Sequence, residues 1–489
     1  MRRLVMMALA AAVGTVASAQ SFCIGQEHVN IVYPLDQVGE IVFGADAFTF
    51  AGRSYDKSGA YTMAYSEAGV KDNTVMVSYN GATAEVSVAG NIADKVSAKV
   101  SGAHVTLLQA ESVAEEITYV LKGRTDNGSL YMDGHFKATF VFDGVNITNP
   151  DSAAVNIQDG KRVAVVLNAG TVNTLADGVK TAGATGDAHN ACMFVNGHTE
   201  VEGAGALVVN ANVKHGITSD EYLQVKKSTG SITIASAPGD GLHVGQYYKQ
   251  SGGVVSVTCM GDGVDVGAKK DPLTEDNGKI FIEGGQITIS TSGDATKGMK
   301  CDDAMEINGG VVDITVSGKA YYDAAEYDIT SSAGLKPDKT FTMTDGTVSV
   351  LATGIGGKGL NAGGAVTIDG GKLTAVTCGG VYAYGMDDTK PQGVKSDGNI
   401  TVNGGEVYVA ASKDKGTAFK TDYSFIINGG TLMGIGSKSV SAAAASKQAS
   451  KKYTSQNIAA GATVTYDGVS FTVPMEYSNS AAYVIVSKP

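Results

Sequence analysis

The chain has 489 residues, of which 64 are glycine, 8 are proline, none is tryptophan and 43% are hydrophobic. This composition favours strands and turns and is sufficient for a sizeable buried core. The formal net charge of −12 argues against nucleic acids and anionic membranes as partners.

Residues 1–19 have the pattern of a secretory signal peptide. Arg2 and Arg3 form a basic start, residues 4–16 are apolar, and residues 17–19 (Ala-Ser-Ala) match a cleavage site. We therefore predict an exported protein that begins at Gln20 with a formal charge of −14. No later run approaches the roughly 18 apolar residues of a membrane helix. The expected location is extracellular or at the cell surface, with the periplasm as an alternative.

The remaining chain divides into three predicted parts. Residues 20–83 contain strand-like segments without a clear repeat and are expected to form a β-rich cap or small domain. Residues 84–435 form the main domain, with irregular strands at first and a plain repeat from about residue 205. Residues 436–489 begin with a low-complexity linker and end in strands that are typical of a C-terminal β cap.

The repeat is marked by Gly-Gly or Asp-Gly pairs, each followed by a short strand of alternating apolar and polar residues. The final glycines of these pairs are separated by 32, 25, 36, 25, 34 and 25 residues. They are Gly253, Gly285, Gly310, Gly346, Gly371, Gly405 and Gly430. Self-similarity at this period indicates a solenoid. A basic repeat of 25 residues with three short strands predicts an all-β, three-faced parallel β-helix.

A second marker in the repeat has the form Gly-apolar-Lys-x-Asp, with Ala418 in place of glycine in its last instance. Its lysines are Lys300, Lys336, Lys395 and Lys420, and its aspartates are Asp302, Asp338, Asp397 and Asp422. Because side chains alternate across a strand, each lysine and its aspartate should point outward together, in columns spaced by about 4.8 Å. One interpretation is a charge ladder of small energetic value. The other is a lysine row that binds the carboxylates of an acidic polysaccharide.

Three repeats carry extra residues, within 269–277, 321–336 and 384–392, and we expect these loops to emerge on one side. Function tends to lie on such loops. Tyr321, Tyr322 and Tyr384 could stack on sugar rings there, although packing would explain them equally well.

Several aspartates are candidate calcium ligands. They are Asp240, Asp262, Asp265, Asp271, Asp302 and Asp303. Calcium takes six to eight oxygen ligands, which stacked aspartate turns could supply. The alternative is that these aspartates hydrogen-bond to the backbone of their own turns.

Motifs for catalysis are scarce. The sequence has no nucleophile elbow, no histidine-metal motif and no phosphate loop. A calcium-assisted polysaccharide lyase remains an alternative, with Lys300 or Lys336 as a base of lowered pKa.

The ordered markers are similar to those of a known family. They are Lys-His-Gly-Ile-Thr-Ser-Asp at 214–220, Gly-Asp-Gly-Leu-His-Val-Gly at 239–245, Gly-Asp-Gly-Val-Asp-Val-Gly at 261–267, and the lysine markers that follow. Together they resemble the carbohydrate-binding domain family typified by a clostridial cellulosome-associated protein. The resemblance implies a right-handed parallel β-helix, bound calcium, and binding of acidic plant polysaccharides such as polygalacturonate without clear cleavage. His243, Asp265 and Asn361 stand where the family pattern has lysine.

Three hypotheses follow for the function. The leading one is a secreted, non-catalytic, calcium-dependent binder of acidic polysaccharide. The second is a polysaccharide lyase, and the third is an adhesive surface protein whose partner is another protein.

Overall fold

A computed structural model describes residues 3–4, 20–178, 191–269 and 275–489. Apart from Arg3–Leu4, the predicted signal peptide lies outside this range. Regular structure in the described residues is almost entirely β-strand, with short 3-10 helices at Leu35–Gln37 and Gly90–Ile92.

The N-terminal part is antiparallel and has its own aromatic core. Its strands are Arg3–Leu4, Ser21–Gln26, Val29–Pro34, Ile41–Phe43, Ala47–Phe50, Arg53–Asp56 and Thr62–Ser66. Phe22, Phe50 and Tyr55 are buried here, with ring centroids of Phe22 and Phe50 5.2 Å apart. This core is separate from that of the repeats.

A 13-stranded sheet runs through the repeats, one strand from each. Its strands are Val96–Ser101, Ala103–Gln109, Gly128–Gly134, Val155–Asp159, Ala191–Val195, His215–Ser219, Leu242–Val244, Val264–Val266, Lys297–Cys301, Ala333–Pro337, Lys358–Ala362, Gln392–Ser396 and Thr417–Thr421. The first two strands pair antiparallel and all later neighbours pair in parallel.

A 27-stranded sheet contains two further parallel ladders. The first ladder includes Arg162–Leu167, His198–Glu202, Leu223–Val225, Tyr247–Gln250, Lys279–Ile282, Val366–Ile368, Ile400–Val402 and Phe425–Ile427. The second includes Val172–Asp177, Ala206–Asn210, Ser231–Ser236, Val254–Cys259, Gln286–Thr291, Lys372–Thr377, Glu406–Ala410 and Thr431–Gly436. Long strands Ile117–Thr125, Ala138–Asn149, Met305–Val316 and Phe341–Ala352 belong to both ladders.

The prediction of a three-faced β-helix solenoid is therefore wrong. The described repeats are organised in two large, mostly parallel sheets, because the long strands join two ladders into one. The sequence predicts that a new short strand begins after each glycine pair. At Gly310, which has a φ of 74°, strand Met305–Val316 instead continues through an irregularity in its register with Phe341–Ala352.

Antiparallel strands cover the two ends of the large sheet. Thr74–Asn80 and Thr83–Ala89 form a hairpin at the start, and Thr74–Asn80 also pairs in parallel with Ile117–Thr125. At the other end, Asn479–Ser487 pairs antiparallel with both Thr431–Gly436 and Ser450–Ile458. A separate hairpin, formed by Thr463–Tyr466 and Val469–Thr472, lies in the chain between Ser450–Ile458 and Asn479–Ser487.

Close packing between the sheets explains the glycine of the second marker. At Gly334 an added Cβ would lie 2.1 Å from Cγ1 of Val350 in the large sheet and 2.8 Å from the carbonyl oxygen of Gly359. The equivalent glycines from Gly216 to Gly393 are confined in the same way. The marker glycine is thus required by the contact between the two sheets.

The described parts of the inserted segments, which exclude residues 270–274, join the 13-stranded sheet at different strand ends, contrary to the expectation from their spacing. The first insertion follows Val264–Val266 of the 13-stranded sheet, whereas the other two precede Ala333–Pro337 and Gln392–Ser396 of that sheet. The latter two therefore emerge at the opposite ends of the strands from the first.

Gly354→Ala should destabilise the protein strongly. An alanine Cβ would lie 1.8 Å from the carbonyl oxygen of Gly318, and backbone atoms cannot move away without disturbing the strand stacking. We expect a loss of at least about 2 kcal/mol, at the upper end of overpacking effects. Denaturant unfolding followed by circular dichroism would measure it. Gly160→Ala is the control, because its Cβ would meet no atom within 4 Å. Equal stability of the two variants would contradict the packing argument.

Candidate functional site

A column of mostly polar side chains follows the 13-stranded sheet, one from each repeat. Strand register places its members opposite one another. We call it the polar column, and it consists of Thr218, His243, Asp265, Lys300, Lys336, Asn361, Lys395 and Lys420. All four lysines predicted as ligand-binding residues thus lie in one line, at the spacing of about 4.8 Å that strand pairing imposes.

Every lysine of the polar column has a carboxylate partner. Lys395 Nζ lies 2.8 Å from Asp397 Oδ1, and Lys336 and Lys420 pair with Asp338 and Asp422 in the same way. Lys300 instead pairs with Asp265 of the preceding repeat, at 2.9 Å. Each lysine charge in the column is therefore offset by an adjacent carboxylate, as the first interpretation of the marker expects.

His243 carries positive charge where the family pattern has lysine. Its Nδ1 lies 3.0 Å from Asp240 Oδ2 and 3.3 Å from Asp265 Oδ2. Hydrogen bonds to these two carboxylates raise the pKa of His243 to about 9. Burial acts to lower the pKa of Lys300, but the attraction of Asp265 prevails and raises it above its ordinary value. Lys300 is consequently protonated at neutral pH and is poorly suited to act as a base.

A second row of side chains lies at the buried start of the same strands. Each accepts a hydrogen bond from the backbone N–H at the equivalent position of the next repeat. His215 Nδ1 accepts from Asp240 N at 2.9 Å, Asp240 Oδ1 from Asp262 N at 2.8 Å, and Asp262 Oδ1 from Lys297 N at 2.7 Å. Burial raises the pKa of Asp262 to about 6, against the opposing charge of Lys297. These contacts assign Asp240 and Asp262 a role in joining repeats.

The described candidate calcium ligands are not gathered around one point. Asp302 Oδ2 accepts a hydrogen bond from Ala268 N, and Asp303 pairs with Lys339. Asp271 lies outside the described residues. Among the described residues, the one cluster with three converging metal-ligand atoms is His215, Asp240 and His243. Two nitrogen donors do not fit calcium, which prefers oxygen ligands alone.

The predicted tyrosines lie on two neighbouring hairpins. Tyr321–Asp323 pairs with Asp328–Thr330, and Tyr382–Tyr384 pairs with Asp387–Thr389. The rings of Tyr322 and Tyr384 are stacked, with centroids 4.1 Å apart and planes at 11°. Tyr384 is 53% exposed despite this contact, and nearby Tyr327 and Met386 are also exposed. The pair forms an aromatic surface with one accessible ring.

A buried lysine ties both hairpins to the 13-stranded sheet. Lys358 is only 5% exposed, and its Nζ donates to Ser331 Oγ at 2.8 Å and to Thr389 Oγ1 at 2.7 Å. Burial lowers the pKa of Lys358 to about 7, and the charge of Lys395 adds to this effect. The contact attaches the tyrosine hairpins to strand Lys358–Ala362, which contributes Asn361 to the polar column.

Sequence reasoning missed two of these features. His215 and His243 are 28 residues apart, so no local histidine motif marks them, and only strand stacking brings them together. Lys358 precedes the marker glycine instead of following it, and thus differs in position from the column lysines. Both features could have been found by aligning the repeats, because the alignment makes positions 215, 240, 262, 297 and 358 equivalent.

The long column and its flanking hairpins define a repetitive surface suited to an extended ligand. The chain belongs to the carbohydrate-binding domain-containing protein family, whose model matches residues 101–380. This match confirms the resemblance seen in the markers. Carbohydrate is therefore the ligand class that the family supports.

Two similar proteins extend this comparison. The chain is 32% identical over 146 residues to a carbohydrate-binding domain-containing protein of Acetivibrio thermocellus, covering 29% of this chain and 50% of the relative. It thus spans about half the length of that relative. A solved structure, the polysaccharide lyase-like protein from C. thermocellum as a gadolinium derivative, is 25% identical with a TM-score of 0.42, covering 54% of this chain and 96% of that one. Within the described residues no helix meets the length and hydropathy needed to cross a bilayer.

Lys358→Met should change how stability depends on pH. The wild-type folded state holds Lys358 with a pKa of about 7, whereas the unfolded chain retains the ordinary value of 10.5. The unfolded state therefore binds more protons between these values, so this lysine makes wild-type stability rise with pH from 7 to about 10. Lys358→Met removes that rise and should stabilise the protein at pH 7. Melting temperatures at pH 7 and 9.5 would test this, with exposed Lys413→Met as control. A pH dependence equal to that of wild type would contradict the assignment.

Proposed function

We propose that this protein is an exported, non-catalytic polysaccharide-binding protein whose glycan lies along the polar column and against the tyrosine hairpins. The observation that carries the proposal is the contact of Lys358 with both hairpins. It attaches the hairpin that carries the accessible ring of Tyr384 to strand Lys358–Ala362, which contributes Asn361 to the polar column. Aromatic faces and regularly spaced polar groups are complementary to the apolar faces and hydroxyls of sugar rings.

Charge supports a role for calcium if the glycan is acidic. The column lysines are already paired with aspartates, and Asp397 and Asp422 are more exposed than the lysines they contact. An anionic chain would therefore approach carboxylates as well as lysines. Calcium held between glycan and protein carboxylates would offset this repulsion and would complete its oxygen shell from both molecules. Acidic plant polysaccharide such as polygalacturonate is accordingly the proposed ligand.

Binding is favoured over cleavage by the state of the candidate bases. Lys300 has a raised pKa, Lys336 is paired with Asp338, and Lys358 is covered by the hairpins. A lyase would need an accessible, unprotonated base at neutral pH.

Affinity electrophoresis of the purified chain from Gln20 onward through polygalacturonate gels should show retardation with calcium that is lost with chelator. The reason is that calcium is expected to bridge carboxylates of glycan and protein. A gel with a neutral glycan is the control for charge, and absorbance of unsaturated sugars would reveal cleavage. Retardation that survives the chelator would contradict the calcium bridge. Absence of retardation in every gel would contradict glycan binding.

Tyr384→Ala should weaken glycan retention by about tenfold, because it removes the accessible ring of the stacked pair. Tyr423→Ala is the matched control, since this tyrosine is 71% exposed and lies outside the hairpins. Isothermal titration with oligosaccharides would measure both, and circular dichroism would confirm folding. Equal loss in the two variants, or no loss in either, would remove the hairpins from the binding site.

A further inference from the structure

The 13-stranded sheet has an open edge at its first strand. Strand Val96–Ser101 pairs with Ala103–Gln109 on one side, and no strand in the described part of the chain pairs with its other side. The opposite end of this sheet is covered, because Lys438 N donates to Gly416 O beside the last strand and Val440 packs against the core. An open edge presents backbone hydrogen-bonding groups to which another chain can pair.

The hydrogen-bond pattern shows which backbone groups face the open edge. Ala110 N donates to Lys95 O at 2.8 Å, and these residues lie opposite each other, so they form a hydrogen-bonded pair. In an antiparallel ladder, such pairs occur at every second residue of a strand. The intervening residues direct their N–H and C=O groups away from the neighbouring strand. They are Val96, Ala98 and Val100.

A cleft of about 410 Å³ lies along this edge, between the sheet and the N-terminal strands. Ligand clefts usually have volumes of roughly 300–1,000 Å³. Five consecutive residues of the edge strand, 96–100, line the cleft, and Tyr55 and Tyr61 of the aromatic N-terminal part line it as well. Several apolar side chains in the lining are only partly buried. They are Val29, Ile31, Ala98 and Val100.

One further strand would fit the place of the cleft in the fold. The 27-stranded sheet continues beyond Thr83–Ala89 through Val29–Pro34 and then Ser21–Gln26. Among the described residues, the 13-stranded sheet has no strand past Val96–Ser101 to accompany this continuation. A strand added there would cover the apolar side chains that Val29–Pro34 presents to the cleft.

The charged groups of the cleft are mainly cationic. Arg53 and Lys99 line it together with His28, and Glu27 supplies the one carboxylate among the described lining residues. Neither Arg53 nor Lys99 forms an ion pair within the described part of the chain, and Arg53 donates to the carbonyl oxygen of Ala93 instead. The lysines of the polar column, by contrast, are all paired with aspartates. Unpaired positive charge in the cleft favours a partner with acidic groups.

We propose that strand Val96–Ser101 is a docking edge for an extended segment of another protein, in which apolar residues alternate with acidic residues. The segment adds one strand to the 13-stranded sheet through the backbone groups that face the open edge. Because side chains alternate across a strand, its apolar residues cover the partly buried side chains of the cleft and its acidic residues meet Lys99 and Arg53. This site goes beyond glycan binding and does not depend on it.

Selection from a phage library of random linear heptapeptides tests the site, with the chain from Gln20 onward as the bait. We expect enriched peptides in which apolar and acidic residues alternate. A fluorescein-labelled peptide of the enriched consensus should then bind in fluorescence polarisation. Lys99→Glu should weaken this binding at least about tenfold, because it places like charges opposite each other. Lys227→Glu is the matched control, since this lysine is exposed and lies outside the cleft.

Ala98→Pro tests the backbone contacts separately. Proline is tolerated on an edge strand where the lost N–H faces away from the sheet, so the variant should fold. It should bind the consensus peptide about fivefold more weakly, because one backbone hydrogen bond is lost. Methylation of alternate peptide nitrogens should abolish binding for one set of positions and spare the other, since a strand pairs with one edge through every second residue.

The outcomes decide what occupies the edge. Weaker peptide binding by both Lys99→Glu and Ala98→Pro, with Lys227→Glu unchanged, supports the docking edge. No enrichment, enrichment of peptides without the alternation, or equal binding by wild type and the Lys99→Glu/Ala98→Pro double variant would overturn it. Self-association in sedimentation velocity that is lost in Ala98→Pro would also overturn it, because a second copy would then occupy the edge. Circular dichroism of each variant identifies a loss of folding, and glycan retention measured separately distinguishes failure of this site from failure of the proposed function.

Discussion

The parallel stacking of repeats is the constraint on which the rest of this structure depends. Successive strands in the 13-stranded sheet share one register, so a residue type at one position recurs at intervals of about 4.8 Å. The sheets can approach this closely only where glycine replaces a side chain, as Gly334 does beneath Val350. Backbone hydrogen bonds and close packing thus place functional side chains in straight lines.

Electrostatics follow from that stacking. Like charges at this spacing repel, and the column avoids this by pairing each lysine with an aspartate in its own or the adjacent repeat. Where histidine replaces lysine, two carboxylates from adjacent repeats converge on it instead. Positive and negative side chains are thus paired along the column, which favours a ligand that makes many weak polar contacts over one held by net charge.

The two tyrosine hairpins are inserted between regular strands and interrupt the uniform repeat that produces the polar column. Lys358 occupies a buried position where burial disfavours its charge, yet two hydroxyls accept its hydrogens and connect both hairpins to the sheet. That arrangement costs stability at neutral pH and attaches the tyrosine hairpins to a strand that contributes to the polar column. Such a cost is common where a structure positions a ligand-binding surface.

Much of this could be predicted from sequence alone. The period of the glycines determined that the chain repeats, and the order of the markers determined the family. The alternation of residues in each marker determined that the lysines face outward together. These are local properties of strands and turns, which a sequence shows directly. Tertiary structure decided how the ladders join, since Met305–Val316 continues through a glycine turn that a local pattern indicates as a break. It also decided which distant residues meet. The register between repeats brings His215 next to His243. The path of the inserted loops brings Ser331 and Thr389 to Lys358. No local sequence pattern contains either the register or the path.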